Sequence, residues 1–138
     1  MNRTDLQKIA DTRVDDANVL LAANRFDGAY YLAGYALECA LKSCIAKPIR
    51  EHDFPDRKLV NDSYVHDLEK LLNISGVKHL HQAEIKVNKA FEANWTIVKD
   101  WSEESRYEHS IGEPVARDFL GAVTDPTNGV LTWLKRYW

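Results

Sequence analysis

The chain has 138 residues, 45% of them hydrophobic and 28% charged, which suits one globular domain over 1–138 with a single core. No apolar run approaches the roughly 20 residues that span a bilayer. A net charge of −3 and a pI near 5.9 argue against the broad basic surface of a non-specific nucleic-acid binder, although a local basic patch stays open. The stretch from Met1 to Arg13 lacks the apolar block and small-residue cleavage site of a secretory signal, so a cytoplasmic protein is expected.

Thr4-Asp5-Leu6-Gln7 has capping-box spacing and opens a first helix, with Leu6, Ile9, Ala10, Val14, Ala17, Leu20 and Leu21 recurring at three and four. A tight connection at Asn24 to Gly28, with Asp27 as N-cap, folds the next helix back as an antiparallel hairpin. That helix, Asp27 to Lys47, organises the chain. Ala29, Ala33, Ala36 and Ala40 make one ridge on which another helix axis can come close, flanked by Leu32 and Cys39 on one side and Tyr30, Leu37, Leu41 and Cys44 on the other. The opposite face carries Asp27, Tyr31, Gly34, Tyr35, Glu38 and Lys42. It is either a solvated strip with a surface Glu–Lys pair or a dimer seam or polar pocket wall. Cys39 and Cys44 stand about 140° apart on one helix, so they cannot bridge each other and read as reduced core residues.

Pro48 ends the central helix, and 48–61 reads as a surface loop in which Lys47, Arg50, Arg57 and Lys58 are balanced by Glu51, Asp53 and Asp56. Asp62 or Ser63 should cap a short helix through Leu72 that stops at Ser75-Gly76. One long helix from Lys78 to Trp101 follows, its face made of Leu80, Ala83, Val87, Ala90, Phe91, Asn94, Trp95, Val98 and Trp101. Residues 102–113 break that period. Pro114 opens a helix to Thr124, and Asp125-Pro126 repeats the signal before Val130 to Tyr137. Nothing alternates at period two, so the expected fold is an all-α, up-and-down bundle of about five helices.

The histidines make no metal site: His79 and His81 point about 160° apart on a helix, and no paired-ligand spacing includes His66. No glycine-rich phosphate loop or nucleophile elbow is present, so no cofactor is expected. The chemistry narrows to Trp101 through His109. Arg106 can grip a phosphate with its planar fork while His109 moves protons near neutral pH, the minimum for metal-free RNA cleavage by the ribose 2′-hydroxyl. The bland alternative is that Arg106 pairs with Glu38 or Glu103 to close the bundle while Trp101 and Tyr107 pack; a Glu38–Arg106 pair is expected. Trp133, Lys135, Arg136, Tyr137 and Trp138 could stack bases or simply form an amphipathic last helix.

Three segments carry a resemblance: Arg25 to Lys42 (RFDGAYYLAGYALECALK), His66-Asp67-Leu68 with Leu71-Leu72, and Trp101 with Ser105-Arg106-Tyr107. Together they make the chain resemble the HEPN family of helical domains over almost its whole length. The resemblance implies a helical bundle that dimerises, with polar residues of two subunits meeting in a shared cleft. It also implies RNA or nucleotide as ligand, a place in toxin–antitoxin or phage-defence systems, and a small nucleotidyltransferase-type antitoxin as partner. Family RNases carry an arginine followed after four to six residues by a histidine, whereas only two residues separate Arg106 from His109. The resemblance therefore weighs towards RNA or nucleotide binding through Arg106, with Tyr107, His109, Tyr31, Tyr35, Glu38 and Lys42 assisting. A metal-independent endoribonuclease using Arg106 and His109, and a protein-interaction bundle without ligand, are the alternatives.

Overall fold

The computed structural model describes residues 1–49, 54 and 56–138. Every regular element among them is helical: α1 Arg3–Ala22, α2 Phe26–Ala46, α3 Arg57–Ser63, α4 Leu68–Ile74, α5 Lys78–Val87, α6 Lys89–Val98, a 3-10 turn Glu103–Tyr107, α7 Glu113–Thr124 and α8 Val130–Leu134. The fold is all-α, as expected, but these eight α-helices replace the expected five or so. One expected helix is split, and the expected loop at 48–61 contains another. Within that loop, residues 50–53 and 55 lie outside the described residues. Among the described residues, no helix is long and apolar enough to cross a membrane.

The hairpin of α1 and α2 is the frame. Asn2 and Asp5 cap α1 reciprocally, at 2.9 and 3.1 Å between side chain and backbone. The capping box thus sits two residues before the expected Thr4–Gln7, because Asn2 accepts from the backbone as readily as threonine and Asp5 returns the bond. Asn24 turns the chain at φ 60, a left-handed conformation that asparagine tolerates better than most residues. Asp27 is not the N-cap of α2. It lies in the first turn, and its carboxylate accepts from the Ile111 amide at 2.8 Å, tying the segment before α7 to α2.

The alanine ridge of α2 is fully buried, and α1, α4, α7 and α8 pack around the helix. Small side chains bring the axes close, while Leu37, Leu41, Leu68, Leu71, Phe91 and Phe119 fill the remaining volume; each such burial stabilises the fold by roughly 1.5–3 kcal/mol. Cys39 and Cys44 are free and buried.

The single helix expected from Lys78 to Trp101 is two. Asn88 leaves helical angles at φ −124, ψ 95 and its side chain accepts from the Phe91 amide, so it ends α5 and caps α6. Its amide also donates to Glu84 and to Asn128, at 2.9 and 2.8 Å. An asparagine whose side chain makes three hydrogen bonds outside helical angles outcompetes a continuous helix. Val87, expected on the apolar face, is exposed at the end of α5, and His81 is buried. His81 sits edge-on to Trp95, Phe91 and Trp133, at centroid distances of 4.5, 5.5 and 5.7 Å.

Further on, the cap of α4 is Asp67, accepting from Lys70, while Asp62 and Ser63 belong to the end of α3. Gly76 takes the positive φ expected of a helix stop, at 85. Pro114 stands in the first turn of α7 as expected. Asp125 instead accepts from Thr127 and Asn128, and α8 starts only after Gly129.

Candidate functional site

The polar face of α2 is covered by two segments distant in sequence: the link before α4 and the 3-10 turn after α6. Trp101 lies across Gly34, where any Cβ would collide with the indole. Only glycine there lets the ring reach the helix. The Trp101 ring stacks on Tyr31 at 6.0 Å, and Tyr31 on Tyr35 at 6.3 Å, a row of three aromatic rings along one side of α2. Trp101 is buried, whereas both tyrosines are half-buried.

Glu38, one turn further along, is 2% exposed. Its carboxyl group is hydrogen-bonded with His66 Nδ1 at 2.7 Å and lies 3.6 Å from Lys42 Nζ. Burial raises the Glu38 carboxyl above the ordinary range, and Lys42 and His66 pull it back. On its other side the His66 ring meets Glu103 of the 3-10 turn, Nε2 to Oε2 at 3.1 Å. A glutamate–imidazole–glutamate chain therefore runs from α2 through the α4 link to the turn. It borders an open cleft of about 350 Å³ that Tyr64, Asp67, Lys70, Trp101 and Glu104 also line. The three groups do not form a metal-holding cluster, nor do any other described residues.

The expected Glu38–Arg106 pair is not formed. Glu38 faces His66 and Lys42 instead, and Arg106 is exposed, with its guanidinium carbon 4.9 Å from the Tyr107 ring centroid. Tyr107 is 72% exposed, so it does not pack in the core. Arg106 has no ion-pair partner among the described residues. His109 is exposed in a separate cleft of about 330 Å³, together with Asn24, Arg25, Asp27 and Ile111; Arg106 does not line it. The structure thus joins Tyr31, Tyr35, Glu38 and Lys42 on one face near the Arg106–Tyr107 turn, and sets His109 with the α1–α2 turn.

His66 and Glu103 are not read from the sequence as partners of Glu38 at this site. Their signal was indirect: a glutamate on an otherwise apolar helix must find a partner once buried, and a histidine beside an N-cap aspartate is one of few side chains able to supply it. No family model, curated protein or solved structure matches this chain.

Proposed function

We propose that the protein is a HEPN-like RNA- or nucleotide-binding module, working as a cytoplasmic homodimer in toxin–antitoxin or defence regulation. The observation that carries the reading is the exposed Arg106–Tyr107 pair, a guanidinium without a carboxylate partner among the described residues beside a largely exposed phenol ring. A planar fork suits a phosphate, and an open aromatic face accepts a base by stacking. Tyr31 and Tyr35 add a second aromatic surface on α2, and Lys42 lies further along the same face beside Glu38. Glu38 serves from beneath as an anchor, its oxygens engaged by His66 and Lys42. The dimer and the antitoxin partner rest on the sequence resemblance.

The test is fluorescence anisotropy with a labelled single-stranded RNA and with labelled ATP and GTP at low salt. Arg106→Ala, folded by circular dichroism, should weaken binding about tenfold or more, the worth of one charge-assisted hydrogen bond. Unchanged binding in that variant would overturn the proposal. RNA cleavage in EDTA that vanishes in His109→Ala would replace it with the endoribonuclease reading.

A further inference from the structure

The Glu103–Tyr107 turn has few polar ties to the rest of the fold. Among the described residues its inter-element hydrogen bonds and ion pairs reduce to Glu103 with His66 and, beyond the turn, Ile111 with Asp27. Trp101 packs on Gly34 without an acceptor for its indole N–H, and the buried Ser105 hydroxyl also lacks a partner. Packing seats the turn, and one imidazole ties it to α2 at the Glu103 end.

We infer that His66 is the positioning residue of the Arg106–Tyr107 turn: its ring, strung between the carboxylates of Glu38 and Glu103, holds the turn against α2 while the three groups share one extra proton, and releases it when that proton leaves. A neutral imidazole has a single N–H and can donate to only one of two ionised carboxylates. With one more proton, both contacts are satisfied, as imidazolium between two carboxylates or as protonated Glu38 donating to a ring that donates to Glu103. The raised Glu38 carboxyl makes the second form accessible. Without the extra proton, a ring lone pair faces a carboxylate lone pair, and the more exposed of the two contacts opens. Glu103 is that one, since its side chain is 35% exposed against 3% for Glu38.

The surrounding charges set how much the chain leans on that proton. Lys42 on α2 offsets Glu38, and Lys70 on α4 faces the same cleft as His66. Asp67 at the start of α4 and Glu104 on the turn add negative charge, and the Tyr64 phenol after α3 faces the same cleft. Losing the proton leaves Glu103 among like charges, which favours release. The consequence for ligand affinity rests on the proposed role of Arg106, whereas the latch itself does not.

The experiment is a pH series of ¹⁵N-labelled protein between about pH 5 and 9, where imidazole ordinarily titrates. The readouts are the backbone amides of Glu103 to Tyr107 and the ring nitrogens of His66. In the wild type, the turn amides should shift through one transition that coincides with the ring signals. His66→Gln, at a half-exposed position that should still fold, should abolish the transition. Glu103→Gln should flatten it, because a carboxamide can donate to a neutral ring as well as accept from a protonated one. An unchanged transition in either variant overturns the inference, as does a wild-type turn that ignores the ring's titration. RNA affinity should fall roughly tenfold across the same step, as for one charge-assisted hydrogen bond. If the amides respond and affinity does not, the ligand site falls and the latch stands.

Discussion

Replacing Gly34 by alanine separates two opposing effects that the structure places on one atom. On helix propensity alone, glycine to alanine within a helix stabilises by about 1 kcal/mol. Here the new methyl would occupy the volume of the Trp101 indole. Trp101 is 2% exposed and stacks on Tyr31, so displacing it forfeits most of a buried tryptophan, about 3–5 kcal/mol by the cost of truncating such residues. The propensity gain offsets part of that, leaving a net loss of roughly 2–4 kcal/mol. Urea unfolding of wild type, Gly34→Ala, Trp101→Ala and the double variant measures it. The collision account requires a change of sign: in the Trp101→Ala background, Gly34→Ala should stabilise by about 1 kcal/mol. Equal destabilisation in both backgrounds would refute the collision as the reason glycine stands at this position.

Two further perturbations probe the core. Burial pushes His81 down to about 4 from an ordinary 6.5, so well above pH 6.5 the ring is neutral whether folded or not and contributes no pH dependence. Between pH 6.5 and 4 the unfolded chain binds the extra proton, and stability should fall with pH by about 3 kcal/mol relative to a His81→Leu variant; parallel urea profiles for the two proteins would rule this out. Asn88→Ala removes the α6 cap together with the bonds to Glu84 and Asn128, and should cost about 1–2 kcal/mol with faster amide exchange at Phe91. Unaltered exchange there would show that the α5–α6 break does not depend on the asparagine.

Much of the fold is legible in local chemistry. The alanine ridge of α2, the proline opening α7 and the glycine stop after α4 follow from side-chain size, a fixed φ and a missing Cβ, and these effects act within a few residues. Errors cluster where several residues compete for the same role. Asn2 beat Thr4 and Asp67 beat Asp62 as caps, each bonding an amide of its own helix's first turn, whereas Asn88 interrupted a helix whose apolar period ran straight through it with help from Asn128 on a distant segment. The site shows the same division. Tyr31, Tyr35, Glu38 and Lys42 share one face by helix geometry, and Arg106 and Tyr107 lie just beyond a break in the period, both readable along the chain.

Sequence by itself determined that the chain is helical, that α2 is its buried axis, and which face of that axis stays polar, since periodicity and propensity need no distant partner. Tertiary structure decided who meets that face. Gly34 received Trp101, and buried Glu38 took His66 in place of Arg106. The physical reason is that a buried carboxylate must be satisfied by whichever donor the packing brings within hydrogen-bond reach, and that distance is a property of the assembled helices.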